Sequence, residues 1–313
     1  EGELGKGVYA KDIILKIIQD LGVDGGVGHV YEYGGPAIEA LDMEGRLAVC
    51  NMSIEGGARA GYINPDETTY EYLQGREYVP EGEAFEERKE YWESVRSDDD
   101  AEYDDVVTVD ADDIDPLLTW GINPGQVIEI TDSVPHPEDF EARTDREAAE
   151  QALDHMDIEP GQSMLGYEVD VAFLGTCTNG RVTDFAEAAK ILEGHTVDED
   201  VRALAVPGSE TVREECEARG IDETFINAGF QWRRAGCSMC LAMNDDSLEG
   251  DEVCASSSNR NFIGRQGSKE GRTVLMSPAM VAAAAVEGEV ADAREYLGDD
   301  PTGGASGVEE AAD

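Results

Sequence analysis

Residues 169–206 read VDVAFLGTCTNGRVTDFAEAAKILEGHTVDEDVRALAV, and the fold class turns on that run. Val169 to Leu174 is a short apolar stretch stopped by Gly175, the pattern of a strand buried on both faces. After the loop carrying Cys177, Asp184 to Leu192 has helical spacing and Val201 to Val206 is a second buried strand. Ser209 then caps a helix to Arg219, with Gly220 as its stop. Strand, loop, helix, strand and helix at this spacing predict a parallel sheet covered by helices, and so an α/β chain.

Upstream, Ile13, Ile14, Ile17, Ile18 and Leu21 fall on one helical face between Lys11 and Leu21, and Gly22 follows as a stop. His29 to Tyr33 alternates as a strand does, and Gly34-Gly35-Pro36 turns the chain into a short helix near Ile38 to Leu41. Leu47 to Met52 is a compact apolar run. Asp66 caps a helix through Leu73, and Phe85 to Val95 reads as a charged surface helix. The stretch from Ser97 to Asp105, SDDDAEYDD, has no apolar period and marks a boundary. Beyond it Val106 to Val109 and Val127 to Ile130 look like strands, and Asp145 to Met156 and Ala279 to Val286 like helices. The expected division is 1–104, 105–297 and an acidic, Gly-rich tail over 298–313.

The charge is unusual. Asp plus Glu total 70 against 23 Lys plus Arg, a formal net charge of −47 spread through helices and loops alike. Such a surface suits high salt, where carboxylates stay hydrated and their repulsion is screened; the alternative is an acidic protein of an ordinary cytoplasm. Binding of nucleic acid or an anionic membrane through a basic surface is disfavoured either way. No apolar run approaches the roughly 20 residues of a membrane span, and no signal peptide is recognisable. Six cysteines without dense, regular spacing do not read as a secreted disulfide framework, which points to reduced thiols in a cytoplasm. The first residues, EGELGKGVYAKD, look like the interior of a longer sequence.

Cys177 directly follows the carboxyl end of an expected core strand, where open α/β sheets place their ligands. Cys237 and Cys240 form a C-x-x-C pair in a glycine-bearing loop. Spacing alone leaves three readings: an iron-sulfur cluster on three thiolates, a structural zinc site with Cys216 or Cys254 as a fourth ligand, or a redox pair. Arg260 and Arg265 stand out in so acidic a chain as a clamp for carboxylates. Asn51 and Glu55, four apart, have the spacing of one helical face. Cys50, Cys216 and Cys254 read as structural, and His29, His136, His155 and His195 show no ligand spacing.

The segments CNMSIEGGARAGYINPDETT, FLGTCTNGR, VPGS, FINAGFQWRRAGCSMCLAMN, SSSNRNFIGRQG and SPAMVAAAAV together resemble the aconitase superfamily, most closely its branch of isopropylmalate dehydratase large subunits. The resemblance runs in order from near residue 1 to about Leu297. It implies aconitase-like α/β domains in three layers, with parallel-containing sheets covered by helices. It also implies a [4Fe-4S] cluster held by Cys177, Cys237 and Cys240, with Asn51 and Glu55 beside it and Glu55 near the iron-bound hydroxyl or water. Asn259 would hydrogen-bond near the cluster, while Arg260 and Arg265 would hold substrate carboxylates.

The implied activity is that of a hydro-lyase isomerising 2-isopropylmalate to 3-isopropylmalate in leucine biosynthesis. The alternatives are a homoaconitase or aconitase-type reaction on a related 2-hydroxy di- or tricarboxylic acid, or a non-catalytic iron-sulfur sensor. Two parts of the family pattern have no match here: an N-terminal region with active-site His and Asp residues, and a swivelling domain carrying the serine base and a further arginine. The expectation is therefore a chain lacking its N-terminal region, partnered by a small swivelling-domain subunit, and inactive without both.

Overall fold

The computed structural model describes residues 1–298; the acidic tail expected over 298–313 lies, from 299 onward, outside the described residues. In chain order the helices are α1 (Ala10–Leu21), α2 (Pro36–Glu39), α3 (Met43–Met52), α4 (Glu67–Leu73), α5 (Glu83–Ser94), α6 (Arg143–Met156), α7 (Thr176–Asn179), α8 (Val182–Leu192), α9 (Glu210–Ala218), α10 (Ile221–Ala228) and α11 (Pro278–Glu287). The strands are β1 (Tyr31–Tyr33), β2 (Gly61–Ile63), β3 (Leu117–Thr119), β4 (Val127–Glu129), β5 (Val171–Gly175), β6 (Arg202–Val206), β7 (Gln231–Trp232), β8 (Val253–Ser256) and β9 (Arg272–Leu275).

Five strands form the main sheet, in the order β7-β6-β5-β8-β9, and every adjacent pair is parallel. In the centre Phe173 pairs with Leu204 on one side and Ser256 on the other. The fold is α/β, as the 169–206 run predicts. Period-two alternation divides the sheet's side chains between two environments. Ala172, Leu174, Ala203, Ala205, Ala255 and Val274 join one buried cluster with α8 and α11. Small side chains on this face let α11 approach closely, and its residues Pro278 to Ala285 are buried all round. Val171, Phe173, Leu204, Val206 and Cys254 face the other way, where Met239, Cys240 and Leu248 cover them. The cysteine-bearing loop is thus packed onto the sheet.

A second core is built on α1, whose Ile13, Ile14, Leu15 and Ile18 pack with Ala48, Val49 and Met52 of α3. It also takes in Ala111, Ile114, Leu117 and Val127 from later in the chain. Asp12 explains part of that join: its carboxylate accepts the Tyr9 N–H at the start of α1 and the Leu117 N–H at the start of β3, each at 2.8 Å. Smaller ladders, β1 with β2 in parallel and β3 with β4 antiparallel, flank these cores.

Most expected elements are present with small shifts at their ends. Asp66 accepts the Thr69 N–H as the cap of α4, Ser209 accepts the Val212 N–H as the cap of α9, and Gly220 adopts φ 73° after that helix. Val106 to Val109 is not a strand. Its side chains find no neighbouring strand: Val106 is 73% exposed, Val107 is exposed as well, and Val109 packs against the α1 core without forming a ladder. The acidic stretch before it is tied down, since the Ser97 and Tyr103 hydroxyls donate to the Glu32 carboxylate at 2.7 and 2.8 Å. The apolar run Leu47 to Met52 belongs to α3.

The helix-covered core centres on Phe185, Phe225 and Trp232, with ring centroids 5.1 to 5.8 Å apart. Phe185 is fully buried, so Phe185→Ala is expected to cost about 3–5 kcal/mol in denaturant unfolding at constant high salt. A loss below about 1 kcal/mol would contradict this packing.

Candidate functional site at the carboxyl edge of the sheet

The chain builds β5, β6 and β7 outward in one direction, then returns to lay β8 on the opposite side of β5 and continues to β9. The loops leaving β5 and β8 therefore diverge. In open parallel sheets that reversal opens a crevice at the carboxyl ends of the strands, where ligands bind. The loop after β5 carries Cys177, the loop after β8 carries Asn259 and Arg260, and the loop after β7 carries Cys237 and Cys240. All three leave the same edge.

The Cys177 turn is tightly constrained. Gly175 has φ 149°, and a β-carbon there would stand 2.2 Å from the Val206 carbonyl oxygen. Thr176 follows with φ 79°, an outlier for a β-branched residue. Gly208 closes the turn from β6: a β-carbon on it would meet the Thr176 oxygen at 2.8 Å and the Cys177 α-carbon at 3.3 Å. Ser257, fully buried at the end of β8, accepts the Gly175 N–H at 2.8 Å and donates to the Asn179 carbonyl at 3.1 Å. Backbone strain of this kind persists where the surroundings over-determine it, often at functional sites. Its result is an exposed Cys177 thiol at the mouth of the crevice.

The second thiol pair sits on a comparable device. Ser238, between Cys237 and Met239, has φ 43°. Its hydroxyl donates to Asp246 Oδ2 at 2.7 Å, and the same carboxylate receives Asn244 Nδ2 at 3.0 Å and Arg233 Nη2 at 2.6 Å. Met239 is driven into the sheet face and Cys240 packs beside it, while Cys237 is exposed. The pocketed methionine and the Asp246 anchor hold the turn from two sides.

Glu55 and Arg260 meet across the crevice, Arg260 Nε donating to Glu55 Oε1 at 2.8 Å. The Glu55 side chain is only 4% exposed, and its Oε2 has no partner. Asn259 donates through Nδ2 to Thr178 Oγ1 at 3.1 Å, joining the β8 loop to the Cys177 turn, while its Oδ1 is buried and unpartnered. Arg265 Nε is likewise buried without a partner. Buried polar atoms are normally satisfied, and these three belong to residues that the sequence assigned to the site.

Asn51 and Glu55 do not share a helical face. Asn51 is exposed in the last turn of α3, whereas Glu55 lies beyond the helix end, its N–H donating to the Met52 carbonyl. Glu55 is delivered by the turn that stops α3.

The remaining thiols separate on electrostatic grounds. Burial pushes the Cys50 thiol up to about 11 and Cys216 up to about 12, and raises Cys254 further. These are poor candidates for thiolate chemistry. No group of three or more His, Cys, Asp or Glu among the described residues is arranged to hold a single metal ion. A polynuclear cluster asks less, because each thiolate binds a different iron and the sulfurs stand farther apart. An all-thiolate donor set on strained, preformed turns, beside unpartnered polar atoms, fits such a group.

Sequence reasoning missed Asp246, Ser257 and Lys11. Asp246 has no local signal. Lys11 had one: it lies three, four and seven positions before Ile14, Leu15 and Ile18, on the stripe those residues bury.

Comparison with known proteins places these features in a family. The sequence model of the aconitase family (aconitate hydratase) matches residues 1–288. The 3-isopropylmalate dehydratase large subunit of Salinibacter ruber is 62% identical over 299 residues, covering 95% of this chain and 63% of the relative. That of Halorubrum lacusprofundi is 65% identical over 295 residues, covering 94% and 62%. The Thermus thermophilus large subunit is 61% identical over 298 residues, covering 95% and 63%. The chain thus spans less than two thirds of the length of these relatives.

Alkylation with iodoacetamide tests the thiol assignment. In the folded, chelator-treated chain, Cys177 and Cys237 are expected to react first, and Cys216 and Cys254 only on unfolding, as read by peptide mass spectrometry. Modification of Cys254 in the folded chain at the rate of Cys177 would contradict it.

Proposed function

Because this chain belongs to the aconitase family, we propose that it forms the cluster-bearing part of a 3-isopropylmalate dehydratase large subunit, acting in leucine biosynthesis. The observation that carries the reading is that the segments bearing Cys177, Cys237 and Cys240 all leave the carboxyl edge of one parallel sheet, where Arg260 pairs with the buried Glu55 carboxylate. The names of the relatives support the substrate. In this proposal Cys177, Cys237 and Cys240 hold a [4Fe-4S] cluster, leaving one iron without a protein ligand. When bound, that cluster supplies a Lewis acid that makes a substrate hydroxyl a feasible leaving group.

The chain's own residues supply binding and charge. Arg260 spends Nε on Glu55, which leaves its terminal nitrogens for bidentate contact with a substrate carboxylate. Arg265 holds the second carboxylate, its unpartnered Nε being one of the donors. Glu55, with Oε2 unpartnered, delivers the proton with which the hydroxyl departs as water and takes one back when water returns, and Asn51 and Asn259 orient groups near it. Loss of water and its return at the neighbouring carbon convert a 2-hydroxy acid into a 3-hydroxy acid without redox change.

The base that takes the carbon-bound proton belongs, on this reading, to a small swivelling-domain subunit, the partner implied by the relatives' designation as large subunits. We further propose two units dividing near residue 105, with 109–127 packing against the first core. A cytoplasmic location belongs to the same proposal, and the carboxylate-rich composition supports high salt.

Two variants test the site with the small subunit present. Cys237→Ser is expected to lose bound iron and sulfide and to drop dehydration to background. Full metal content and turnover would sink the cluster assignment. Arg260→Lys keeps the charge but not the fork, and is expected to lower kcat/KM about 100-fold, roughly 2.7 kcal/mol of transition-state stabilisation. An unchanged value would remove Arg260 from the substrate site.

A further inference from the structure

Lys11 is the single lysine buried among the described residues, at 1% exposure. Its ammonium donates to the Ser257 carbonyl at 2.7 Å, the Ser258 carbonyl at 2.7 Å and Asn179 Oδ1 at 3.2 Å. An ammonium has three donors, and all are used. None of the three acceptors is a carboxylate; Asp184, Asp12 and Glu55 act on it through space. Desolvating an ammonium is costly, and packing alone does not require one here. A Leu or Met would fill the stripe continued by Ile14, Leu15 and Ile18 without that cost.

What a lysine does at this position is join two loops. Asn179 ends α7, two residues after Cys177, and Ser257-Ser258 leads directly from β8 to Asn259 and Arg260. These loops leave the sheet on either side of the crevice between β5 and β8. From below, Ser257 Oγ ties the same two segments through Gly175 N and Asn179 O. From α1, the Lys11 ammonium ties them again with charge-assisted bonds, which are shorter and stronger than neutral ones.

We propose that Lys11 is a positioning residue, whose ammonium clamps the Cys177 turn to the Arg260 loop and so fixes the separation between the cluster-binding thiol and the guanidinium that holds substrate. The clamp rests on the functional reading above. It also explains why the first helix of the chain belongs to the site although none of its residues touches substrate. A displacement of about 1 Å between reacting groups is enough to cost on the order of 100-fold in rate.

The test uses Lys11→Met, which keeps the stem and removes the donors, and Lys11→Arg, which keeps the charge and donors. In the cluster-free chain, the ratio of Cys177 to Cys237 alkylation by iodoacetamide is measured; Cys237 lies on a loop that Lys11 does not touch and serves as the internal control. The expected result is a change of about tenfold in that ratio for Lys11→Met at unchanged far-UV circular dichroism. If Lys11→Met does not fold, Asn179→Ala removes one arm of the clamp and is read in the same way. With the cluster rebuilt to equal iron per chain and the small subunit added, Lys11→Met is expected to lower kcat on the order of 100-fold with KM nearly unchanged, and Lys11→Arg to restore part of it. An unaltered alkylation ratio in a folded variant, or wild-type kcat at equal iron content, overturns the proposal. A wild-type chain that takes up no iron overturns the functional reading instead, while the alkylation ratio still decides the clamp.

Discussion

Parallel strands all present their carboxyl ends at one edge, and in this sheet the strand order reverses between β5 and β8. Those two facts govern the chemistry available to the chain. The loops after β5, β7 and β8, far apart in sequence, must all open on one crevice. Close approach there is permitted by glycine at 175 and 208, where a β-carbon would collide with neighbouring backbone. It is then held by fully buried serines and by the Lys11 ammonium. Both thiol-bearing turns reach their conformations through left-handed, non-glycine residues, Thr176 and Ser238. Each has its own anchor: Ser257 for the first and Asp246 for the second. Turns fixed in this way suit the positioned Lewis acid and carboxylate clamp of the proposed function.

The formal net charge of the sequence is −47, yet the loops of the candidate site carry Arg260 and Arg265, and Lys11 lies beneath them with the carboxylates of Asp12, Asp184 and Glu55 near it. In the proposed function the two arginines, set against so acidic a background, are what holds the carboxylates of a small substrate. High salt screens the surface repulsion but acts less on partly buried pairs such as Glu55–Arg260. The same medium that keeps the surface tolerable leaves the site's charges effective.

The sheet's centre was legible because β5 and β6 are continuous apolar runs with a capped helix after each, so local pattern and tertiary role agree. The short strands were not. β7 has two residues, and β8 reads Val-Cys-Ala-Ser, a string with no strand signature of its own. Val106 to Val109 erred in the other direction, having the right residues but no partner strand. In the site, the cysteines and arginines declared themselves by type and motif. Glu55 lies against Arg260, but the helical face expected to carry it ends at Met52. Lys11 and Asp246 escaped because their meaning lies in contacts: Lys11 reaches a carbonyl 246 positions away. Charge on an apolar stripe was the one local clue.

The most direct test is anomalous diffraction at the iron edge from crystals grown anaerobically after cluster assembly. The account predicts one compact iron peak at the carboxyl edge between β5 and β8, within bonding distance of the Cys177, Cys237 and Cys240 sulfurs, with one iron lacking a protein ligand. An iron peak at Cys50, Cys216 or Cys254, or crevice thiols that bind no iron under those conditions, would contradict it.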